Sequence, residues 1–254
     1  MKIVSYNVNG IRAAFSKGLS SWIASIGADI ICFQESKAQL EQIDTEQFSS
    51  LGYENFWFSA QKKGYSGVGI ASKVPPKHVE YGIGIDYIDF EGRIIRLDFD
   101  NFSVFSVYVP SATNISRLDI KMQFCYDFLE YLKNFSNKNS NIIVCGDFNI
   151  CHNPIDIHDP VRLANVSGFL PMEREFLTKF LQEGDFIDSF RYKNPNAVQY
   201  SWWSYRANAR VNNKGWRIDY NMFSSILKNK IYNSEILSNV KYSDHCPVMT
   251  EFNL

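Results

Sequence analysis

Near its C-terminus the chain reads YSDHCPV (242–248), and the Asp244 and His245 of that stretch have chemical counterparts beside other apolar runs. Asn7 follows KIVSY, Glu35 follows DIICFQ, Asp147 and Asn149 follow NIIVCG, and Asp219 follows WRI. Carboxylates, carboxamides and an imidazole gathered at one rim make a hard, oxygen-rich site, which suits Mg²⁺ or Mn²⁺ better than zinc. The chemistry that uses this mixture is metal-assisted hydrolysis of a phosphodiester. A cation neutralises the phosphate and the departing alkoxide, a carboxylate takes a proton from the attacking water, and neutral donors stabilise the charge that develops.

Taken singly, each residue has an ordinary reading. Glu35 is then a solvated loop residue, GDFN a turn, SDH a cap beside a surface His, and Asp219 a buried partner of Arg217. His245 and Cys246 could also be a metal or thiol pair, and Cys145, Cys151 and His152 zinc ligands. No CxxC spacing supports those readings, and Cys32, Cys125 and Cys145 sit inside apolar runs, where free cysteine is a small core residue. The joint placement of the carboxylates and amides next to strands favours one shared site.

The elements that must position them follow from periodicity. Segments 2–6, 29–34, 66–72, 93–99, 102–109 and 141–146 are short and apolar or alternating, as buried strands are. Helical patterns lie at 17–27, 40–52, 116–135 and 171–184; in the third, Ile120, Phe124, Phe128 and Leu132 recur every four residues. Strand-helix alternation predicts α/β layers, in which loops at strand ends converge on one crevice. Two stretches resist this description. Residues 151–170 form a long segment without periodicity, the kind of loop that is usually functional. Residues 200–220 combine three Trp, three Tyr, three Arg and a Lys, a mixture suited to stacking and phosphate contact.

A length of 254 residues with 45% hydrophobic content allows one large domain, 1–254, with no linker-like tract to divide it. The net charge of -1 does not announce a nucleic-acid binder, although a neutral total can conceal a basic face. No apolar run approaches ~18 residues and the N-terminus lacks a signal-peptide pattern, so a soluble intracellular protein without a membrane partner is expected.

Nine motifs occur in an order and spacing that resemble the exonuclease III family of apurinic/apyrimidinic endonucleases: SYNVNGIRA, CFQESK, GYSGVGI, EGRII, VYVPS, GDFNICH, GFLPMERE, WWSYRANARVNNKGWRIDY and SDHCPV. The resemblance runs from residue 1 to about 252 and implies a four-layered α/β sandwich, with two mixed β-sheets packed face to face and helices outside. It implies Mg²⁺-dependent incision of duplex DNA on the 5′ side of abasic sites, leaving a 3′-hydroxyl, together with 3′→5′ exonuclease and 3′-phosphatase or 3′-phosphodiesterase activity. By the same resemblance Glu35 is the principal metal carboxylate with Asn7 beside it, Asp147 orients or deprotonates the water with Asn149, and His245 contacts the scissile phosphate. Asp147, Asn149 and His245 are thereby also placed around the metal. Asp219 fixes the His245 tautomer, Tyr108 reaches the phosphate or leaving oxygen, and Asp244 supports the metal. Trp202, Trp216 and Ile218 match the wall that receives the flipped abasic sugar. Arg12, Lys17, Lys37, Tyr65 and Arg93 match DNA-facing positions, and Arg206 stands where some members insert a Met into the duplex.

The chain departs from the family pattern at Asn9, where some members carry a metal-supporting Asp, at Ser111, and at Leu163 and Val166, where many carry Asn. A general deoxyribonuclease or a small-molecule phosphatase of the same superfamily would share the core, and a non-catalytic DNA-binding protein would share the fold. The 200–220 stretch favours abasic-site recognition over the other enzymes, and the joint presence of Glu35, Asp147, Asn149, Asp219 and His245 argues against a non-catalytic protein. The family resemblance suggests a monomer, and the short N-terminus suggests a bacterial, cytoplasmic protein. Loss of the last dozen residues is expected to abolish catalysis.

Overall fold

The computed structural model describes residues 1–112, 115–136 and 139–253. Among these, strands run β1 Lys2–Asn7, β2 Ile30–Gln34, β3 Glu54–Phe58, β4 Val68–Ser72, β5 His78–Tyr81, β6 Ile94–Asp98, β7 Ser103–Tyr108, β8 Ile142–Asp147, β9 Phe186–Asp188, β10 Asp219–Ser224, β11 Ile231–Ile236 and β12 Val248–Phe252. Helices are α1 Ile11–Ser16, α2 Leu19–Ile26, α3 Glu46–Ser49, α4 Asp86–Asp89, α5 Ile115–Ser136, α6 Pro171–Glu183 and α7 Ser189–Lys193. One sheet has the order β11-β12-β1-β2-β4-β3, the other β5-β6-β7-β8-β10-β9. Each contains one parallel pair, β1 with β2 and β7 with β8, among antiparallel neighbours. The expected mixed sheets with outer helices are present.

Period-two alternation explains the layers, because both faces of the central strands are covered. Ile3 of β1, Ile30 and Cys32 of β2, and Ile143 and Cys145 of β8 share the core between the sheets. Their neighbours Val4, Tyr6, Ile31 and Phe33 face outward onto α1 and α2 through Ile11, Leu19 and Ile23. Ile142 and Val144 face α5 and α6 through Phe124, Phe128, Leu177 and Phe180. All five cysteines are free and buried. No helix among the described residues is long and apolar enough to cross a membrane.

Two expectations need correction. The helix expected over 40–52 is broken into a single 3₁₀ turn, Leu40–Gln42, and the short α3. Ile43 is extended between them, and Asp44 and Thr45 favour helix ends over interiors. Ile120 is 48% exposed although Phe124, Phe128 and Leu132 are buried. A strict four-residue repeat drifts by about 40° per step around a helix of 3.6 residues per turn, which carries the first member out of the stripe. Lys121, its neighbour, takes the buried position instead. Strands β3, β5 and β9 to β11 have no counterpart in the expected set, whereas β12 is the strand that the apolar run after His245 implies.

Candidate active site

The core between the sheets changes from apolar to polar along five strands, always toward the same rim. Inward-facing positions read Ile3, Ser5, Asn7 on β1 and Ile30, Cys32, Gln34 on β2. They read Val104, Ser106, Tyr108 on β7, Ile143, Cys145, Asp147 on β8, and, in reverse, Phe223, Asn221, Asp219 on β10. Parallel pairing brings Asn7 level with Gln34 and Tyr108 level with Asp147. Asp219 opens a strand and does not follow one, and antiparallel pairing sets it opposite Asp147. β12 likewise runs antiparallel to β1, so Asp244 and His245, just before it, reach the same rim. Gln34 closes the polar layer beneath by donating to Ser106 Oγ at 3.0 Å and accepting from Ser5 Oγ at 3.3 Å.

Asn7 lies at the centre, its amide donating to Glu35 Oε1 and to Asp147 Oδ2, both at 2.9 Å. Asp147 Oδ1 accepts the Asn149 backbone N–H at 2.8 Å, while the Asn149 side chain donates to the Val109 carbonyl at 2.8 Å. His245 Nδ1 lies 2.9 Å from Asp219 Oδ2, and its Nε2 faces Asp147 Oδ2 at 3.9 Å. Ser201 Oγ donates to Asp219 Oδ2 at 2.6 Å and accepts the backbone N–H groups of Ile218 and Asp219. Arg217, the alternative partner for Asp219, is instead held by Asp156 and Asp188.

Glu35 and Asn149 have left-handed backbones, with φ 52° and 53°. For Glu35 this is a sparsely populated conformation that persists only when its surroundings enforce it. They do: the Glu35 carbonyl accepts the Gly10 N–H, and Ser36 and Lys37 donate to the carbonyls of Gly67 and Ser66. The effect is to turn the Glu35 carboxylate into the rim.

Charge is concentrated here. Burial, with the carboxylates of Asp219 and Glu35 nearby, raises the proton affinity of Asp147 far above the usual carboxylate range, against the opposing pull of His245. Burial disfavours the charged His245 ring, but Asp219 outweighs it, with Asp147 and Asp244 adding, so its pKa rises to about 10. Burial works against the Glu35 anion too, yet Lys37 and the Asn7 amide hold its pKa below the ordinary value. Tyr108 is pushed well above its ordinary value by burial and by Glu35 and Asp147, so it stays a protonated donor.

Ligand atoms of Glu35, Asp147 and His245 lie within 4.8 Å of one another. Two hard carboxylates and a carboxamide beside a surplus of negative charge fit a divalent cation that prefers oxygen ligands.

The rim opens into a cavity of about 510 Å³ lined by Glu35, Tyr108, Asn149 and His245 together with Trp202, Trp216 and Ile218. Trp202 and Trp216 meet edge to face, with centroids 5.9 Å apart. Gly168 completes the wall: a Cβ there would lie 2.7 Å from the Trp216 ring, and its φ is +95°. Leu163 packs into the apolar cluster beneath these rings, while Val166 lines the cavity.

Sequence reasoning missed the supports of this wall. Lys121 is fully buried and donates to the Asn149 carbonyl at 2.8 Å and to Glu173 Oε1 at 2.5 Å. Glu173 in turn accepts the backbone N–H groups of Gly168 and Leu170. The available signal was a charged residue on the apolar face of a helical pattern.

The cations are placed unevenly. Arg12, Lys17 and Arg206 are exposed, and Lys37 pairs with Glu35 at 2.7 Å. Arg93 does not belong to an exposed basic surface, because its side chain is only 2% exposed. It donates to the Tyr108 carbonyl and the Tyr65 hydroxyl and stacks over the Tyr108 ring at 4.7 Å. The arginine is consumed in pairing with Glu91 and holding two tyrosines.

Comparison with known proteins adds an independent line. Residues 4–245 match the model of the endonuclease/exonuclease/phosphatase family. The chain is 44% identical over 257 aligned positions to an exodeoxyribonuclease from Bacillus subtilis, covering all of both proteins. It is 38% identical to the DNA repair nuclease APEX1 of Danio rerio, over 98% of this chain and 81% of that protein. Among solved structures it resembles an AP endonuclease from Archaeoglobus fulgidus, with a TM-score of 0.91, 29% identity and full coverage of both chains.

Proposed function

The chain belongs to the endonuclease/exonuclease/phosphatase family, and from that premise we propose that it is a DNA-repair phosphodiesterase that incises duplex DNA on the 5′ side of abasic sites. The observation that carries this reading is the joining of a hydrolytic centre to an aromatic pocket in one cavity. The names of its bacterial and animal relatives, exodeoxyribonuclease and DNA repair nuclease, point the same way.

The pocket selects by what is missing. A small space between Trp202, Trp216 and Ile218 admits a deoxyribose without a base, and unstacking costs least where no base exists. With the sugar seated there, the phosphate on its 5′ side falls at the rim. Glu35 and Asp147, with the Asn7 amide between them, would hold Mg²⁺ or Mn²⁺; when bound, the cation would neutralise phosphate charge and stabilise the departing oxyanion. Asp147 orients water against phosphorus and takes its proton, a task suited to a carboxylate whose proton affinity burial has raised. The Asn149 N–H fixes one of its oxygens. Asp219 keeps the proton of His245 on Nδ1, so the charged ring presents Nε2–H to a phosphate oxygen. Tyr108 donates toward the leaving O3′. Cleavage of the P–O3′ bond leaves a 3′-hydroxyl upstream and a phosphate on the abasic sugar.

The same groups acting at a 3′ end give the 3′→5′ exonuclease and 3′-phosphatase activities. Arg12, Lys17, Lys37, Tyr65 and Arg206 are read as contacts to the DNA backbone, which positions the duplex without reading sequence. The protein is expected to act as a monomer in the cytoplasm. The test is incision of a duplex oligonucleotide with one tetrahydrofuran abasic analogue, in Mg²⁺ and in EDTA, beside an intact duplex. Metal-dependent cutting at the analogue is expected. Absence of that cut, or equal degradation of the intact duplex, would refute the reading.

A further inference from the structure

Asp244 is engaged on both of its oxygens. Oδ2 accepts the Trp202 indole N–H at 3.0 Å and Oδ1 accepts the Asn9 side-chain amide at 2.8 Å. Asp244 is absent from the group of ligand atoms within 4.8 Å formed by Glu35, Asp147 and His245. The backbone reinforces its tie to the pocket wall: Trp203 N–H donates to the Asp244 carbonyl, and Trp202 is bridged to both Trp216 and His245. Asn9 has a left-handed backbone, φ 45°, and its side-chain oxygen accepts from Lys37 Nζ at 2.5 Å. Lys37 Nζ also pairs with Glu35 Oε2 at 2.7 Å. A continuous series of polar contacts therefore runs Glu35, Lys37, Asn9, Asp244, Trp202.

Resting on the functional reading above, we propose that Asp244 is a positioning residue for the sugar pocket and that this series couples cation occupancy at Glu35 to the setting of Trp202. Lys37 occupies an oxygen of Glu35 and is 34% exposed on its side chain, so it has solvent to move into. A divalent cation at Glu35 repels the nearby ammonium. Displacement of Lys37 releases the Asn9 oxygen, changes the grip of Asn9 on Asp244, and so changes what holds the indole. The wall that excludes a base is then adjusted by the ion that permits hydrolysis.

The sequence contains five tryptophans, so the full-length protein labelled with 5-fluorotryptophan gives five fluorine resonances. Trp202→Phe identifies the Trp202 signal by its loss. Titration with MgCl₂ is expected to shift that signal along a saturable curve in wild type. Asn9→Ala and Asn9→Gly, which both cut the series and of which the second suits the left-handed backbone there, are each expected to lose most of the shift at saturating Mg²⁺. Calorimetry on the same samples reports whether Mg²⁺ binds. Binding with an undiminished Trp202 shift in both variants would overturn the coupling while leaving the functional reading intact. No Mg²⁺ binding by wild type would overturn both.

Discussion

Two clusters of buried or half-buried acidic side chains flank the 217–219 segment, and they are composed on opposite terms. In the first, Asp156 and Asp188 are matched by Arg217 and Arg191, with contacts of 2.6 to 2.8 Å. In the second, the cationic partners of Glu35, Asp147, Asp219 and Asp244 among the described residues are Lys37 and His245. Burying charge is tolerable where each ion has a partner and hydrogen bonds satisfy the rest. The matched cluster fulfils that condition within the chain and serves the fold. The unmatched one carries an anionic surplus among the described residues, and a divalent cation would supply the missing counter-charge. Burial of charge is common to both, and charge balance is what separates support from reactivity.

The largest expected effect lies in the unmatched cluster. Asp147→Asn and His245→Ala should each lower the incision rate by roughly 10²–10⁴-fold, the range for loss of a general acid or base, with affinity for the abasic duplex changed only a few-fold. Loss of binding in step with rate would recast these groups as substrate holders. Single-turnover kinetics and a binding titration separate the two.

Asp156→Asn should leave the chemistry in place and strike the fold instead, by about 3–5 kcal/mol, because it strands part of the guanidinium charge. Burial opposes ionisation of Asp156, but Arg217 outweighs it and holds the carboxyl below its usual range. A depressed folded-state pKa contributes stability that is present above the unfolded value of roughly 3.9 and lost as pH falls through the folded value. The difference in stability between wild type and variant should therefore be full at pH 7 and narrow progressively as pH falls below about 4. A gap that stays constant would mean that the pair is not the source of the effect.

Smaller changes sharpen the contrast. Ser201→Ala removes the 2.6 Å bond to Asp219 and should lower kcat by about tenfold, as loss of an outer hydrogen bond does, with a cost of about 1 kcal/mol in stability. An unchanged kcat would show that Asp219 orients His245 without help. Arg206→Ala is expected to do least, reducing the slope of log affinity against log salt by about 1 with little change in rate. An unaltered slope would remove Arg206 from the DNA contacts.

Much of the rim was legible in the sequence because period-two alternation carries a chemical signal. Asn7, Tyr108 and Asp147 are the last inward positions of their strands, and the residues before them were recognisable as apolar runs. Asp219 was located although its strand was not, since the surrounding motif is dense in unusual residues. Arg93 was misplaced because a residue type does not reveal whether a cation faces solvent or a pair of tyrosines. Lys121 and Glu173 escaped for a related reason. Besides each other they hold a backbone carbonyl and two backbone amides, and backbone groups leave no mark in a sequence. The break at Ile43 to Thr45 was hidden by apolar spacing that imitates a helix.

The central claim is that the unmatched carboxylates form a site for a divalent cation. The most direct measurement is calorimetric titration of Mg²⁺ into wild type, Glu35→Gln and Asp188→Asn. Saturable binding by wild type, lost in Glu35→Gln and retained in Asp188→Asn, is the predicted result. Absence of binding by wild type, or equal binding by Glu35→Gln, would contradict it.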